Sequence, residues 1–159
     1  MDSVPIDTLD AATHRRLAVD LFNRSWQLLE LPRRAPEQDD DLIHTTHASC
    51  YHWGEVGGAA NRARGENQCA RVYAALGRGE PALYHAGRCL DLVRAGGDGF
   101  EDWDLASAYE VLTRAHLAAG DRAEAERYAA LAREALAAAE DAEDRELIAG
   151  QLSELGLDA

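Results

Sequence analysis

Lysine is absent from this chain of 159 residues, and all 16 basic side chains are arginine. Beside abundant alanine, arginine and glycine, that absence reads as the codon bias of a GC-rich genome rather than as chemistry. Also missing is any apolar run of the roughly 20 residues that a membrane-spanning helix needs, so no membrane partner is expected. Residues 1–10 lack a basic segment followed by an apolar one, which predicts no secretory signal. No run alternates β-branched with polar residues, so the strand signal is missing too. There is no Gly-x-Ser-x-Gly, no phosphate loop, no dinucleotide fingerprint and no Cys-x-x-Cys, which leaves no nucleophile or cofactor motif to follow. Positive charge is short as well. A net charge of −13, with 29 acidic residues, repels nucleic acid and anionic lipid over most of the surface. Three cysteines with no close pair, Cys50, Cys69 and Cys89, read as reduced thiols of a cytoplasmic protein. Each sits in an apolar helical pattern and is expected as a small core residue rather than a ligand or nucleophile.

What remains is helix. The length suits one domain with a real core, and much of the 47% apolar content is alanine, which favours close helix packing. Asp7-Thr8 is placed to cap a first helix running to about Glu30, with Leu17, Leu21, Trp26 (or Phe22), Leu28 and Leu29 on its apolar face. Two prolines, Pro32 and Pro36, break it. A second helix starts near Pro36 with Glu37, Asp39, Asp40 and Asp41 in its opening turns, where carboxylates suit the helix dipole, and stops near Gly57-Gly58. Tyr51 and Trp53 on this helix are expected to pack. The third helix spans about 59–76 and ends at Gly77; the fourth has Pro81 in its first turn and runs to about Arg94. Asp102 or Asp104 opens a fifth, which closes at Gly120. Asp121 with Glu124 is a capping-box-like start for a sixth, extending through Ala139. The last helix, about 144–155, has Leu147, Ile148, Leu152 and Leu155 on one face and reads as a solvent-facing cap on the stack.

Two of these helix pairs are copies of each other. Aligning Gly77 with Gly120 gives a period of 43, and Ala82 then meets Ala125 while Ala86 meets Ala129. One copy contributes Glu66, Cys69, Ala70, Tyr73, Gly77, Ala82, Ala86 and Cys89. The other contributes Tyr109, Leu112, Thr113, His116, Gly120, Ala125, Ala129 and Ala132. The paired copies resemble the tetratricopeptide repeat. They depart from it in the length of the period, in Glu66 at the first large position, and in Ala86 and Ala129 at the second aromatic one. The run through His47-Ala-Ser, Arg64-Gly-Glu and Asp104-Leu-Ala also resembles a group of small bacterial proteins, a likeness that brings no activity with it. The tetratricopeptide resemblance implies an all-α fold, a short right-handed solenoid of about seven helices closed by a C-terminal capping helix. The single domain, 1–159, divides into a degenerate first pair at 8–57, repeats at 59–95 and 102–139, and the cap at 144–155.

In such arrays the first helix of each pair lines a concave groove. The resemblance therefore implies Arg64, Asn67 and Arg71 in one copy, and Ser107, Glu110 and Arg114 in the other, as ligand-binding positions. Spacings of three and four put Arg64, Asn67 and Arg71 on one helix stripe. The arginine fork suits carboxylate or phosphate, so one expectation is a pocket for a small anionic ligand or an acidic or C-terminal peptide. The other is an internal salt-bridge network, with Arg71 or Arg114 paired to Glu66 or Glu110. Self-association as a homodimer is a further form of partnership. A second constellation is His44, His47, Cys50 and His52. His44, His47 and Cys50 step by three along one helix and would hold a metal if His85, His116 or a carboxylate came from a neighbour. No cofactor is predicted, and a transition metal such as zinc enters only through this helix. His47, His85 and Glu110 would form an acid–base set if they converged.

Overall fold

The computed structural model describes residues 8–157, and among these the chain is all-helical, with seven helices and no strand. They are α1 (Ala11–Leu29), α2 (Pro36–Val56), α3 (Ala59–Ala75), α4 (Gly79–Ala95), α5 (Asp104–Ala118), α6 (Arg122–Leu136) and α7 (Ala142–Ser153). No helix is long and apolar enough to cross a membrane.

Local chemistry sets the boundaries. Of the expected N-terminal cap, Asp7 lies outside the described residues; Asp10 caps α1 by accepting from the Thr13 amide at 2.7 Å. Asp121 and Asp141 cap α6 and α7 in the same way. Helix α6 ends at Leu136, short of the Ala139 expected for it. The chain turns there, and the Arg145 guanidinium donates to the freed Ala139 carbonyl at 2.6 Å. The two copied turns are the same turn. Gly77 and Gly120 have φ of 71° and 80°, a region open to glycine at little cost. Each is followed by an amide that reaches back five residues, Arg78 to the Tyr73 carbonyl at 2.8 Å and Asp121 to the His116 carbonyl at 2.9 Å.

Every helix packs on its neighbour in the chain. The odd-numbered helices also touch one another in order, α1 with α3, α3 with α5 and α5 with α7. Among the described residues the backbones of α2, α4 and α6 make no such close approach to one another. Alanine makes the close approach possible: Ala82, Ala86, Ala125 and Ala129 are all buried, at positions equivalent in the two copies. One apolar cluster centres on Leu90, Val111 and Leu112 between α3, α4 and α5. A second, with Leu136, Ile148 and Leu152, joins α5, α6 and α7. The α1–α2 seam has little aliphatic core and uses hydroxyls instead. Thr46 donates to Ser25 and Ser49 to the Ala18 carbonyl, both at 2.8 Å. On α2, Trp53 is buried while Tyr51 is 45% exposed, so only the first is a packing residue.

Candidate functional site

The odd-numbered helices border a hollow with two lobes, of about 340 Å3 and 650 Å3, which share Trp26, Arg71, Leu147 and Gln151. Such volumes are in the range that accepts small ligands. Phe22 and Trp26 come from α1, Arg64, Asn67 and Arg71 from α3, Ser107 from α5, and Trp103 from the residue before α5. Helix α7 is more than a cap here. Leu147, expected on its buried face with Ile148 and Leu152, is 61% exposed and lines both lobes.

All six expected groove residues sit around this hollow, five as lining of a lobe and Glu110 behind it. Their charges are largely spent on one another. Arg64 grips Asp104 through both Nε and Nη2, at 3.1 and 2.7 Å, donates to the Gly99 carbonyl at 3.1 Å and lies over the Trp103 ring. Asn67 donates to the Ser107 hydroxyl at 3.1 Å. Glu110 is 0% exposed and receives Arg71 on one carboxylate oxygen and Arg114 on the other. Arg114 also donates to the Gln151 carbonyl at 3.1 Å and approaches Glu154 at 3.4 Å. The internal network is thus real, with Glu110 and not Glu66 as the shared partner. Glu110 and Glu154 together balance the two guanidiniums in charge, but not every donor is matched. Arg71 lies over the Trp26 ring, and its Nε is buried without a hydrogen-bond partner.

The histidine helix distributes its residues to different places. His52 turns to α1, where its Nδ1 meets the Nδ1 of His14 at 2.9 Å. His44 is exposed. His47 faces α3 and α4: its Nε2 is hydrogen-bonded to the Tyr73 hydroxyl at 2.8 Å, and its ring lies 5.4 Å from that of His85. Burial and the neighbouring His85 push His47 below its ordinary pKa, which keeps the imidazole neutral. Cys50, beside it on α2, reaches the Cys69 sulfur at 3.3 Å. A Cβ on Gly65 would come within 2.9 Å of the Cys50 sulfur, so this α2–α3 approach depends on glycine. The Cys50 contact and burial together hold the Cys69 thiol well above its usual range.

His47 and His85 therefore converge, but Glu110 does not join them, because Arg71 and Arg114 hold it behind the hollow. Glu66 takes that place. It accepts from His85 Nδ1 at 2.6 Å and from Arg88 Nε at 3.2 Å. Burial alone would raise its pKa, but these two bonds outweigh it and leave the carboxyl below its ordinary value. Cys69, expected as a small core residue, is indeed buried, and its sulfur lies within 4.8 Å of a ring nitrogen of both His47 and His85. The meeting of His47 with His85 is among the expectations, whereas spacing along one helix gives no sign of Cys69, since the three residues lie on three helices. No protein-family model matches the chain, and neither does any curated protein or solved structure, so the likeness to tetratricopeptide repeats rests on the residues named above.

Proposed function

We propose that this chain is a binding module, a short right-handed tetratricopeptide-like solenoid closed by α7, whose hollow holds a ligand with one carboxylate and an apolar body. The ordered contacts among the odd-numbered helices and the paired glycine turns support the scaffold reading. The single observation that supports the ligand reading is Arg71. A buried guanidinium donor without a partner costs about 1–3 kcal/mol, and a ligand acceptor would remove that cost. Aromatic walls from Phe22, Trp26 and Trp103 supply the apolar contact. Asp144 and Glu30 at the margins work against polyanions and leave a small monoanion, or the free carboxylate end of a peptide, as the ligand class. Such a partner suits the expected cytoplasmic setting.

Trp26 and Trp103 report on occupancy. Intrinsic fluorescence would be titrated with aromatic and aliphatic monocarboxylates, with short peptides ending in a free carboxylate, and with the corresponding amides. The carboxylates should bind at least about tenfold more tightly than the amides. Arg71→Lys, which keeps the charge but removes Nε, should abolish that preference while the helical circular dichroism stays unchanged. Binding indifferent to both the carboxylate and Arg71, or no binding across the set, would overturn the reading. A second reading, a metal-binding protein or small enzyme centred on the histidine helix, is favoured by a separate observation, the convergence of His47, Cys69 and His85.

A further inference from the structure

We infer that His47, Cys69 and His85, contributed by α2, α3 and α4, form a site for a borderline-soft transition ion, zinc or copper. None of the three lines the hollow, so the site is separate from the ligand site proposed above.

The donor set comes first. One nitrogen of each imidazole and the Cys69 sulfur all lie within 4.8 Å of one another. In a tetrahedral zinc site, ligand atoms about 2.1–2.3 Å from the metal are separated by about 3.5 Å, so closing this triangle takes about an ångström of side-chain rotation. The ligands also have the support that metal-bound histidine ordinarily has. His85 donates Nδ1–H to Glu66, which fixes the ring and leaves Nε2 with the free lone pair. Arg88 in turn holds the second Glu66 oxygen, and the Tyr73 ring stacks on His85 at an interplanar angle of 9°. Cys50 places a second sulfur 3.3 Å from that of Cys69, and the Tyr73 hydroxyl borders His47. Three protein ligands with a fourth position left to a thiol, a hydroxyl or water is the pattern of an open site. Metal binding takes the imidazoles in their neutral form, and Cys69 would release its thiol proton to solvent as the metal–sulfur bond forms.

The second copy provides an internal control. Shifted by 43 residues, His47, Cys50, Glu66, Cys69 and His85 become Leu90, Val93, Tyr109, Leu112 and Tyr128. All five of those residues belong to, or pack against, the apolar cluster between α3, α4 and α5. So where the packing of α4, α5 and α6 uses five apolar or aromatic residues, that of α2, α3 and α4 has two imidazoles, two thiols and a carboxylate at the equivalent positions. The surrounding frame is kept. Tyr73 stacks on His85 in one copy and His116 stacks on Tyr128 in the other, at the same two positions with the residue types exchanged. A scaffold that packs well with leucine and tyrosine does not need histidine and cysteine at these positions for its own stability.

The second copy also supplies the test. Untagged protein, purified under reducing conditions, would be analysed for metal and titrated with Zn2+, Co2+ and Cu2+. The expectation is one ion per chain, with a thiolate-to-cobalt charge-transfer band in the near ultraviolet. Preferential retention of zinc, or an intense thiolate-to-copper band, tells the two metals apart on the same ligands. The variant His47→Leu, Cys69→Leu, His85→Tyr rebuilds the core of the second copy. It should keep its helical circular dichroism and lose the site. Glu66→Gln should weaken binding about 10–100-fold, whereas His44→Ala and His52→Ala should leave it unchanged. The inference is overturned if wild-type protein takes up none of the three ions stoichiometrically. It is equally overturned if uptake survives in the folded triple variant, or if uptake tracks His44 or His52 instead. Failure here leaves the carboxylate reading of the hollow standing, since that is read by fluorescence through Arg71.

Discussion

Helix pair α3–α4 and helix pair α5–α6 share a turn, a set of buried alanines and an aromatic stack, yet they spend their remaining core positions differently. In the later pair, Leu112, Tyr109 and Tyr128 close a continuous apolar cluster with Leu90. The earlier pair puts Cys69, Glu66 and His85 at the matching positions, and α2 brings His47 and Cys50 to them. The difference shows how a repeat separates scaffold from specialisation. Turn glycines are held in both copies by a left-handed backbone, and interface alanines by close helix approach. The positions between them are free to differ as long as something fills the volume. Polar groups that fill it need partners, and in the earlier pair Glu66 has His85 and Cys69 has Cys50.

Breaking the buried ion pair that joins the two helix pairs, α3 to α5, should have the largest effect. Glu110 is fully buried between two guanidiniums, so Glu110→Ala leaves Arg71 and Arg114 uncompensated and should cost about 3–5 kcal/mol in urea denaturation. A loss under 1 kcal/mol would mean that water reaches the pair and that the hollow is more open than its geometry suggests. Next in size are the shared turns. Gly77→Ala and Gly120→Ala each force a left-handed backbone on a side chain and should each cost about 1–2 kcal/mol. Nearly equal losses would sharpen the view that the two copies share one scaffold, and a clear inequality would break it.

Smallest, and confined to the specialised pair, is a pH effect in metal-free protein. Burial and His85 depress the pKa of His47 in the fold, so below its ordinary value of 6.5 the unfolded chain binds a proton that the folded imidazole refuses. Stability therefore falls as pH drops from about 6.5, with His52, also depressed, adding to the same step. Glu66 is depressed as well, so a second loss begins as pH falls below about 4.5 and continues through the folded value. Urea midpoints measured from pH 7 to pH 4 should show both steps. His47→Leu should flatten the first and Glu66→Gln the second. Unchanged profiles in these variants would show that the cluster is solvated in the folded protein.

Much of the fold could be read from sequence because the signals were local. Pro36, Gly77, Gly120 and Asp121 act within a turn of themselves, and they bound α2, α3, α5 and α6 where the pattern places them. Helix periodicity put Arg64, Asn67 and Arg71 on one stripe, and only the resemblance to a repeat array pointed that stripe toward the hollow. Periodicity misled at Leu147, which has the spacing of a core residue in a helix whose other face also meets protein. It misled again along α2. Regular steps grouped His44, His47 and Cys50, but only His47 and Cys50 meet α3 and α4, while His52 turns to His14. The 43-residue alignment held the missing clue, because Cys69 falls opposite Leu112 and His85 opposite Tyr128.

By itself, then, the sequence determined what interactions within about five residues can determine. These are the helical class, the places where helices start and stop, and the repetition of one turn. Partnership was decided by the tertiary structure. Glu110 could have neutralised Arg71, Arg114 or neither, and Cys69 could have been inert core. The contacts that settle these matters join residues 19 to 39 apart in the chain, on helices whose rotation is fixed only when they pack. A polar side chain entering a core takes whatever charge or donor the opposing helix presents, since leaving it unpaired costs more than any local preference supplies. That is why a stripe of arginines read from α3 became a closed network with one donor left over. It is also why two histidines and a cysteine, unremarkable on their own helices, came to face one another.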